Sequence, residues 1–260
     1  MPIPRFHLFE FEDQTWFPRV IRDLATDYLH RIEVIIRMHE RVLGPLGEAL
    51  RASGSERVVD LCSGAGGPVP ALQRALAAGG LDLPFTLTDR FPNLPAFRRT
   101  EAVSEGRIRF IAEPVDARAV PGTLTGLRTL FNSFHHFPPA DSRTILLDAV
   151  EDREPIAIFE ISERALPMFL FVFLTPVFVL LATPFIRPFR WRRLFWTYVL
   201  PLVPLVCWWD GMISQLRTYT VSELEELTRG DGFDSYEWRT GRLPIAATPG
   251  HVTFLVGLPR

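Results

Sequence analysis

Val58-Val59-Asp60-Leu61-Cys62-Ser63-Gly64-Ala65-Gly66-Gly67-Pro68 is the stretch on which the fold turns. A short apolar run passes through an acid and stops in a small, glycine-rich turn. Backbone that approaches a ligand at the carboxyl end of a parallel strand must be bare, and only glycine avoids the side-chain clash. Asp60, at the end of the run, can accept from a ligand donor. A dinucleotide fingerprint asks for G-x-G-x-x-G. Gly64 and Gly66 fit it, but the third position is Val69.

Working outward, Leu81 to Thr88 reads as a second strand ending at Asp89, about the spacing at which an open α/β fold sets an acid on a ribose diol. Ile108 to Ala112 is a third strand, followed by Glu113-Pro114-Val115-Asp116-Ala117-Arg118. Thr129 to Phe137 (TLFNSFHHF) holds a fourth strand and its loop, and Ile156 to Glu160 is a fifth strand with a terminal carboxylate. Leu72 and Leu76, then Ile145, Leu146 and Val150, supply the helical patterns between them. Strands alternating with helices imply a parallel sheet with crossovers. Ser235 to Arg242 and Val252 to Pro259 are two extended runs joined by a turn with Pro249 and Gly250, and such neighbours pair antiparallel.

This order resembles the class I S-adenosylmethionine-dependent methyltransferases over roughly residues 56 to 160 and 215 to 260. The resemblance implies a doubly wound, mostly parallel, seven-stranded Rossmann-like sheet whose last strand is reversed. It implies S-adenosylmethionine as cofactor and S-adenosylhomocysteine as product. Cofactor contacts are then expected from Asp60, Ser63, Gly64, Ala65 and Gly66, with Asp89 and Arg90 at the ribose. Asp116 and Ala117 would meet the adenine, and Asn132 and Ser133 would face the methyl donor. His135 and His136 fall where that loop meets the acceptor, and an imidazole titrates near neutrality, so one of them is the candidate base. Against each role stands an ordinary one: Asp60 and Asp89 can cap helices, and Glu160 can pair with Arg164. No metal is expected.

The N-terminal Phe9-Glu10-Phe11-Glu12-Asp13-Gln14-Thr15-Trp16-Phe17-Pro18 precedes a helix starting near Arg19, with Leu24, Tyr28, Ile32, Ile35 and Ile36 on its inward face. By the same resemblance this leader closes the acceptor pocket, with Trp16, Phe17 and Tyr28 lining it. Arg217 and Tyr219 are expected to complete the pocket, and Thr220 with Glu223 reads as a capping box.

The unusual part is Ala165 to Ile186, about 22 residues without a charge, long enough to cross a bilayer. A basic link, Arg187-Pro188-Phe189-Arg190-Trp191-Arg192-Arg193, leads to a second apolar run from Leu194 to Trp209. Two full spans would set the arginines opposite the catalytic domain, against the positive-inside bias. Pro167, Pro176, Pro184, Pro201 and Pro204 favour short, bent pieces instead. The expectation is therefore a hairpin docked on the cytoplasmic face of a membrane, peripheral or monotopic. Trp191, Trp196, Trp208 and Trp209 would sit at the headgroups and the arginines on lipid phosphates. The alternative is a cytoplasmic protein with the hairpin buried in a homodimer or over the site.

Residues 1–50 thus read as cap and helix, 51–164 with 210–260 as the methyltransferase core, and 165–209 as an inserted apolar hairpin. With 28 basic and 30 acidic residues, the net charge of −2 gives no general pull on nucleic acid. Two cysteines, Cys62 and Cys207, make no disulfide framework. Met1 to Asp13, acidic and without an apolar core, does not read as a signal peptide. The expected activity is methyl transfer to a lipophilic or small-molecule acceptor. A nicotinamide-dependent oxidoreductase and a non-catalytic, membrane-anchored scaffold are the competing classes.

Overall fold

In the computed structural model, residues 3–245 and 248–260 are described; Met1 and Pro2 of the acidic leader lie outside them. Seven strands form one sheet: β1 (Val58–Leu61), β2 (Phe85–Leu87), β3 (Ile108–Phe110), β4 (Leu127–Phe131), β5 (Ile156–Glu160), β6 (Tyr236–Pro244) and β7 (His251–Pro259). Their order is β3-β2-β1-β4-β5-β7-β6. Strands β1 to β5 are mutually parallel, while β7 runs antiparallel to both neighbours, Glu160 opposite Thr253 and Tyr236 opposite Pro259. The reversed last strand is therefore present. Strand β2 is shorter than its run because Leu81, Leu83 and Pro84 form the approach to the sheet, and β3 stops at Phe110, before Ile111 and Ala112.

Both faces of the sheet are covered, and the strands record this with a period of two. Val58, Ala157 and Phe159 join one cluster with Met38, Val42 and Leu46 of α2 (Met38–Ser53) and Leu72 and Leu76 of α3 (Val69–Ala78). Val59, Ile156 and Ile158 face the other way, onto Ile145 and Leu146 of α5 (Pro139–Glu151) and Leu224 and Leu227 of α10 (Val221–Leu227). Helix α4 (Leu94–Ala102) adds Phe97 to the first face, and the Thr220–Glu223 capping box opens α10. Among the polar residues buried on the strands, Arg128 on β4 is 1% exposed and pairs with Asp148 at 2.8 Å and with Asp152.

Helix α1 (Arg19–Ile35) buries Leu24 and Tyr28 as expected, but Ile35 is 54% exposed because the helix ends there and the chain turns through a left-handed Arg37. The hairpin is built of short helices: α6 (Leu166–Phe173), α7 (Thr175–Ala182), α8 (Trp191–Leu194) continuing into a wide turn at Phe195–Val199, and α9 (Leu202–Arg217). No helix among the described residues is long and apolar enough to cross a membrane; the two bent pairs, at 44° and 73°, match one by length and composition only. The bends follow the prolines. Pro167 and Pro176 sit in the first turns of α6 and α7, and Pro201 caps α9, where a missing N–H costs nothing.

The hairpin is two-faced. Val179, Ile186, Val203, Val206 and Cys207 pack on Phe17, Ile21, Leu24 and Tyr28. The other side is bare: sixteen of the 25 exposed large apolar side chains among the described residues lie between Leu166 and Leu205. Two expectations change. Helix α9 runs straight through the boundary expected at 209/210, so the hairpin and the core share a helix. Of the four link arginines, Arg193 is 2% exposed on Asp27 at 2.7 Å and Arg190 reaches the same carboxylate at 3.4 Å; Arg187 and Arg192 face solvent. Of the four hairpin tryptophans, Trp191 alone is exposed; Trp208 meets Phe173 edge-on and Trp209 donates to the Phe9 carbonyl.

Candidate active site

Two cavities meet above the carboxyl ends of β1, β2 and β4. The first, about 650 Å³, lies over the glycine loop, and Ser63, Gly64, Ala65, Asp89, Arg90, Asn132 and Ser133 come together on its wall. The loop bends because Cys62, Gly64, Gly66 and Gly67 all take positive φ. A Cβ on Gly64 would stand 3.2 Å from Thr26, so bare backbone faces α1 there. Asp89 braces the loop, accepting from the Gly64 N–H at 2.8 Å and the Phe91 N–H at 2.7 Å; burial pushes its pKa up and these bonds oppose that.

Four residues expected at the cofactor do not line this cavity. Asp60 is 2% exposed beneath the loop, accepts from Thr129 Oγ1 at 2.8 Å and does not line the cavity; burial raises its pKa to about 7. Asp116 is closed by Arg118, whose guanidinium donates to it at 2.7 and 3.0 Å, and Ala117 is core. Gly66 turns toward Thr100, away from the space.

Sequence reasoning missed the polar stripe on α1. Arg22, Thr26, His30 and Glu33 recur at helical spacing and roof the glycine loop. Glu33 is 9% exposed, touches the Gly67 position, and has no hydrogen bond or ion pair with any described side chain. Burial, then Asp60, raises its pKa to about 8. The signal was present as a polar i, i+4, i+7 series opposite the apolar face.

The second cavity, about 550 Å³, lies between α1 and the hairpin. Ile32, Phe171, Phe178 and Val206 make it apolar, and Tyr28 stands on its wall. Trp16 does not: it is 67% exposed. Phe17 is core beneath Phe11, and Tyr219 is buried with its hydroxyl on Ser142 and the Phe137 carbonyl. Arg217 lines the first cavity instead.

Glu12, Leu29, Asn132 and His136 line both spaces. His136 Nδ1 lies 2.8 Å from Asp13 and 3.2 Å from Glu10. Burial pulls its pKa down, but the two carboxylates outweigh that and hold it at about 10. His135 is 1% exposed, with Nδ1 2.5 Å from Glu160, whose other oxygen accepts from the Phe134 N–H at 2.6 Å. Glu160 thus fixes the turn that carries both histidines, while Arg164 pairs with Glu223. Glu10, His135 and His136 bring atoms within 4.8 Å of one another, but each is already bonded to a protein partner, Glu10 to Arg217 and Ser214.

No family model and no curated protein sequence matches the chain. Among solved structures, it is similar to an O-methyltransferase from neocarzinostatin biosynthesis in complex with S-adenosyl-L-homocysteine and 1,4-dihydroxy-2-naphthoic acid. That likeness has TM-score 0.51 and 15% identity, over 88% of this chain and 57% of that one. The chain has the class I methyltransferase fold. Other similar methyltransferase structures are magnesium protoporphyrin IX methyltransferase from Synechocystis (TM-score 0.49, 11% identity, 86% and 82% covered) and the S-adenosylmethionine-dependent methyltransferase SibL (0.48, 19%, 85% and 55%). The chain spans little more than half the length of several of these proteins.

Proposed function

We propose that the chain is an S-adenosylmethionine-dependent methyltransferase acting at a membrane surface on a lipophilic acceptor. The observation that carries the reading is the junction at Asn132 and His136, where a polar cavity over the glycine loop meets an apolar one beneath the hairpin. The polar cavity suits the cofactor. Ser133 Oγ is buried in its wall without a partner, the Gly64 backbone is bare, and Glu33 is an unpaired carboxyl. Asp89 has lone pairs left for a diol, Ser133 a free hydroxyl, and Glu33 a carboxylate for the ammonium of the amino-acid end.

When bound, the sulfonium supplies an activated methyl group, so the protein's task is alignment and proton removal. His136, held as an imidazolium by Glu10 and Asp13, serves as a hydrogen-bond donor at the junction. His135, locked on Glu160, positions that turn and walls the acceptor cavity. The N-terminal leader and α1 exclude water from above.

The bare apolar face and the free Arg187 and Arg192 beside exposed Phe189 and Trp191 support docking on an anionic bilayer, peripheral or monotopic. The test is calorimetric titration with S-adenosylhomocysteine on the intact protein and on Asp89→Ala. Binding that weakens by about tenfold or more in the variant supports the cofactor role. Absence of binding refutes it. Co-sedimentation with vesicles tests the membrane role; a protein that stays in the supernatant with anionic vesicles overturns it.

A further inference from the structure

Resting on that reading, we propose that the acceptor is an amine on an apolar body, whose basic nitrogen is held by the Glu12 carboxylate and gives its proton to it. The apolar cavity ends in an imbalance of charge. Four carboxyls gather at the junction: Glu10, Glu12, Asp13 and Asp210. The cations paired to them are His136 and Arg217, and both are engaged with Glu10 and Asp13. Asp210 is spent on backbone, accepting from the Phe11 N–H at 2.8 Å and the Glu12 N–H at 3.1 Å.

Glu12 is left over. Its carboxylate has one long contact, Thr26 Oγ1 at 3.4 Å, and lines both cavities. Arg22 does not relieve it, because that guanidinium donates to the backbone carbonyls of Glu12 and Gln14 and lies over the Phe91 ring. Toward the acceptor side stands Tyr28, 3% exposed, with no hydrogen bond from its hydroxyl to any described residue. Glu12 is half-buried on the walls of both cavities with no cation on it among the described residues, and Tyr28 lines the second with its hydroxyl unbonded, so a ligand N–H placed there satisfies both. A carboxylate head would meet the acids Glu10 and Asp13 here, and an alcohol brings no positive charge to draw the proton off Glu12, as an ammonium does.

The groups facing Glu12 are Glu10 and Asp13 from the leader, Thr26 and Arg22 from α1, His136 from the β4 turn, and Cys207 and Asp210 from α9. Burial, then Asp210, raises Glu12 to about 8, toward the range of an amine. The step balances without a co-reactant. The ammonium proton passes to a Glu12 oxygen; the freed nitrogen pair forms the bond to the methyl carbon; the carbon–sulfur bond breaks with its electrons on sulfur. The methylated nitrogen then leaves as an ammonium.

The experiment compares dodecylamine, 1-dodecanol and dodecanoate by calorimetry at pH 7.5, on the intact protein, Glu12→Gln and Glu12→Asp, with S-adenosylhomocysteine titrated separately. Expected is amine binding at least about tenfold tighter than the alcohol, lost in Glu12→Gln with dodecanol binding unchanged, and largely restored in Glu12→Asp. Radiolabelled methyl transfer to dodecylamine should fall in Glu12→Gln and recover as pH rises. Equal binding of amine and alcohol, or an amine preference that survives Glu12→Gln, overturns the proposal. Should S-adenosylhomocysteine bind while the amine preference is absent, the acceptor assignment alone fails. Should it not bind, the methyltransferase reading fails and takes this proposal with it.

Discussion

Replacing Glu33 with Gln should weaken the ligand and strengthen the empty fold, and the two effects come from the same carboxyl. Glu33 lies on α1 over the glycine loop, 9% exposed and unpaired. A charge-assisted bond to the cofactor ammonium is worth roughly 1.5–3 kcal/mol, or about ten- to a hundredfold in affinity. The assay is calorimetry with S-adenosylhomocysteine beside 5′-methylthioadenosine, which carries the nucleoside but no amino-acid end. Glu33→Gln should lose about that factor for the first and nothing for the second.

The pH dependence has a definite sign. Burial, then Asp60, lifts Glu33 from 4.5 to about 8, so the folded protein holds a proton that the unfolded chain releases. Stability from this group is present below pH 4.5 and is lost as pH rises toward 8. Glu33→Gln should therefore raise Tm relative to the intact protein at pH 8 and change it little at pH 4.5. Binding at pH 7 should release a proton, seen as a dependence of the measured heat on buffer ionisation. Equal losses for the two ligands, or a lower Tm at pH 8, would refute the role given to Glu33.

Three more outcomes are expected. Gly126 has φ 121° and its Cβ would stand 2.6 Å from the Arg57 carbonyl oxygen, so Gly126→Ala should cost about 1–3 kcal/mol in urea denaturation while the sheet order survives. Asp27→Ala strands Arg193, 2% exposed, and should cost about 3–5 kcal/mol, with the pair Asp27→Leu and Arg193→Met recovering most of it. Arg187→Gln with Arg192→Gln should reduce binding to anionic vesicles by about 1 kcal/mol per residue and leave binding to neutral vesicles unchanged, measured by co-sedimentation across salt.

The sheet was legible because the central strands β1, β4 and β5 are buried along their whole length and mostly apolar, and β5 was readable to the residue. The glycine loop and Asp89 were legible because their chemistry is local: glycine at positive φ, and an acid at the end of the next strand. Asp116 misled because its fate depends on Arg118 folding back onto it, a choice between solvent, ligand and neighbour that composition does not record. Trp16 and Phe17, adjacent in sequence, end on opposite sides of the leader, one exposed and one core. Glu12 and Glu33 were passed over because an acid on a leader or a helix reads as solvated surface until the fold covers it.

Helix α9 leaves a lasting mark on how this chain can change. It begins under the bare apolar face and ends in the site, and along its length Trp209, Asp210, Ser214 and Arg217 hold Phe9, Phe11, Glu10, Glu12, Leu8 and Asp13. The leader therefore hangs chiefly on a rod whose far end belongs to the hairpin, with further holds from Arg22 of α1 on the Glu12 and Gln14 carbonyls and from His136 on Asp13. An excision of residues 166–209 would remove the bare apolar face, Trp209 and the first half of α9, and leave Asp210, Ser214 and Arg217 to hold the leader on a shortened helix. A disturbance at the apolar face is thus carried by one continuous helix to the acids that line both cavities.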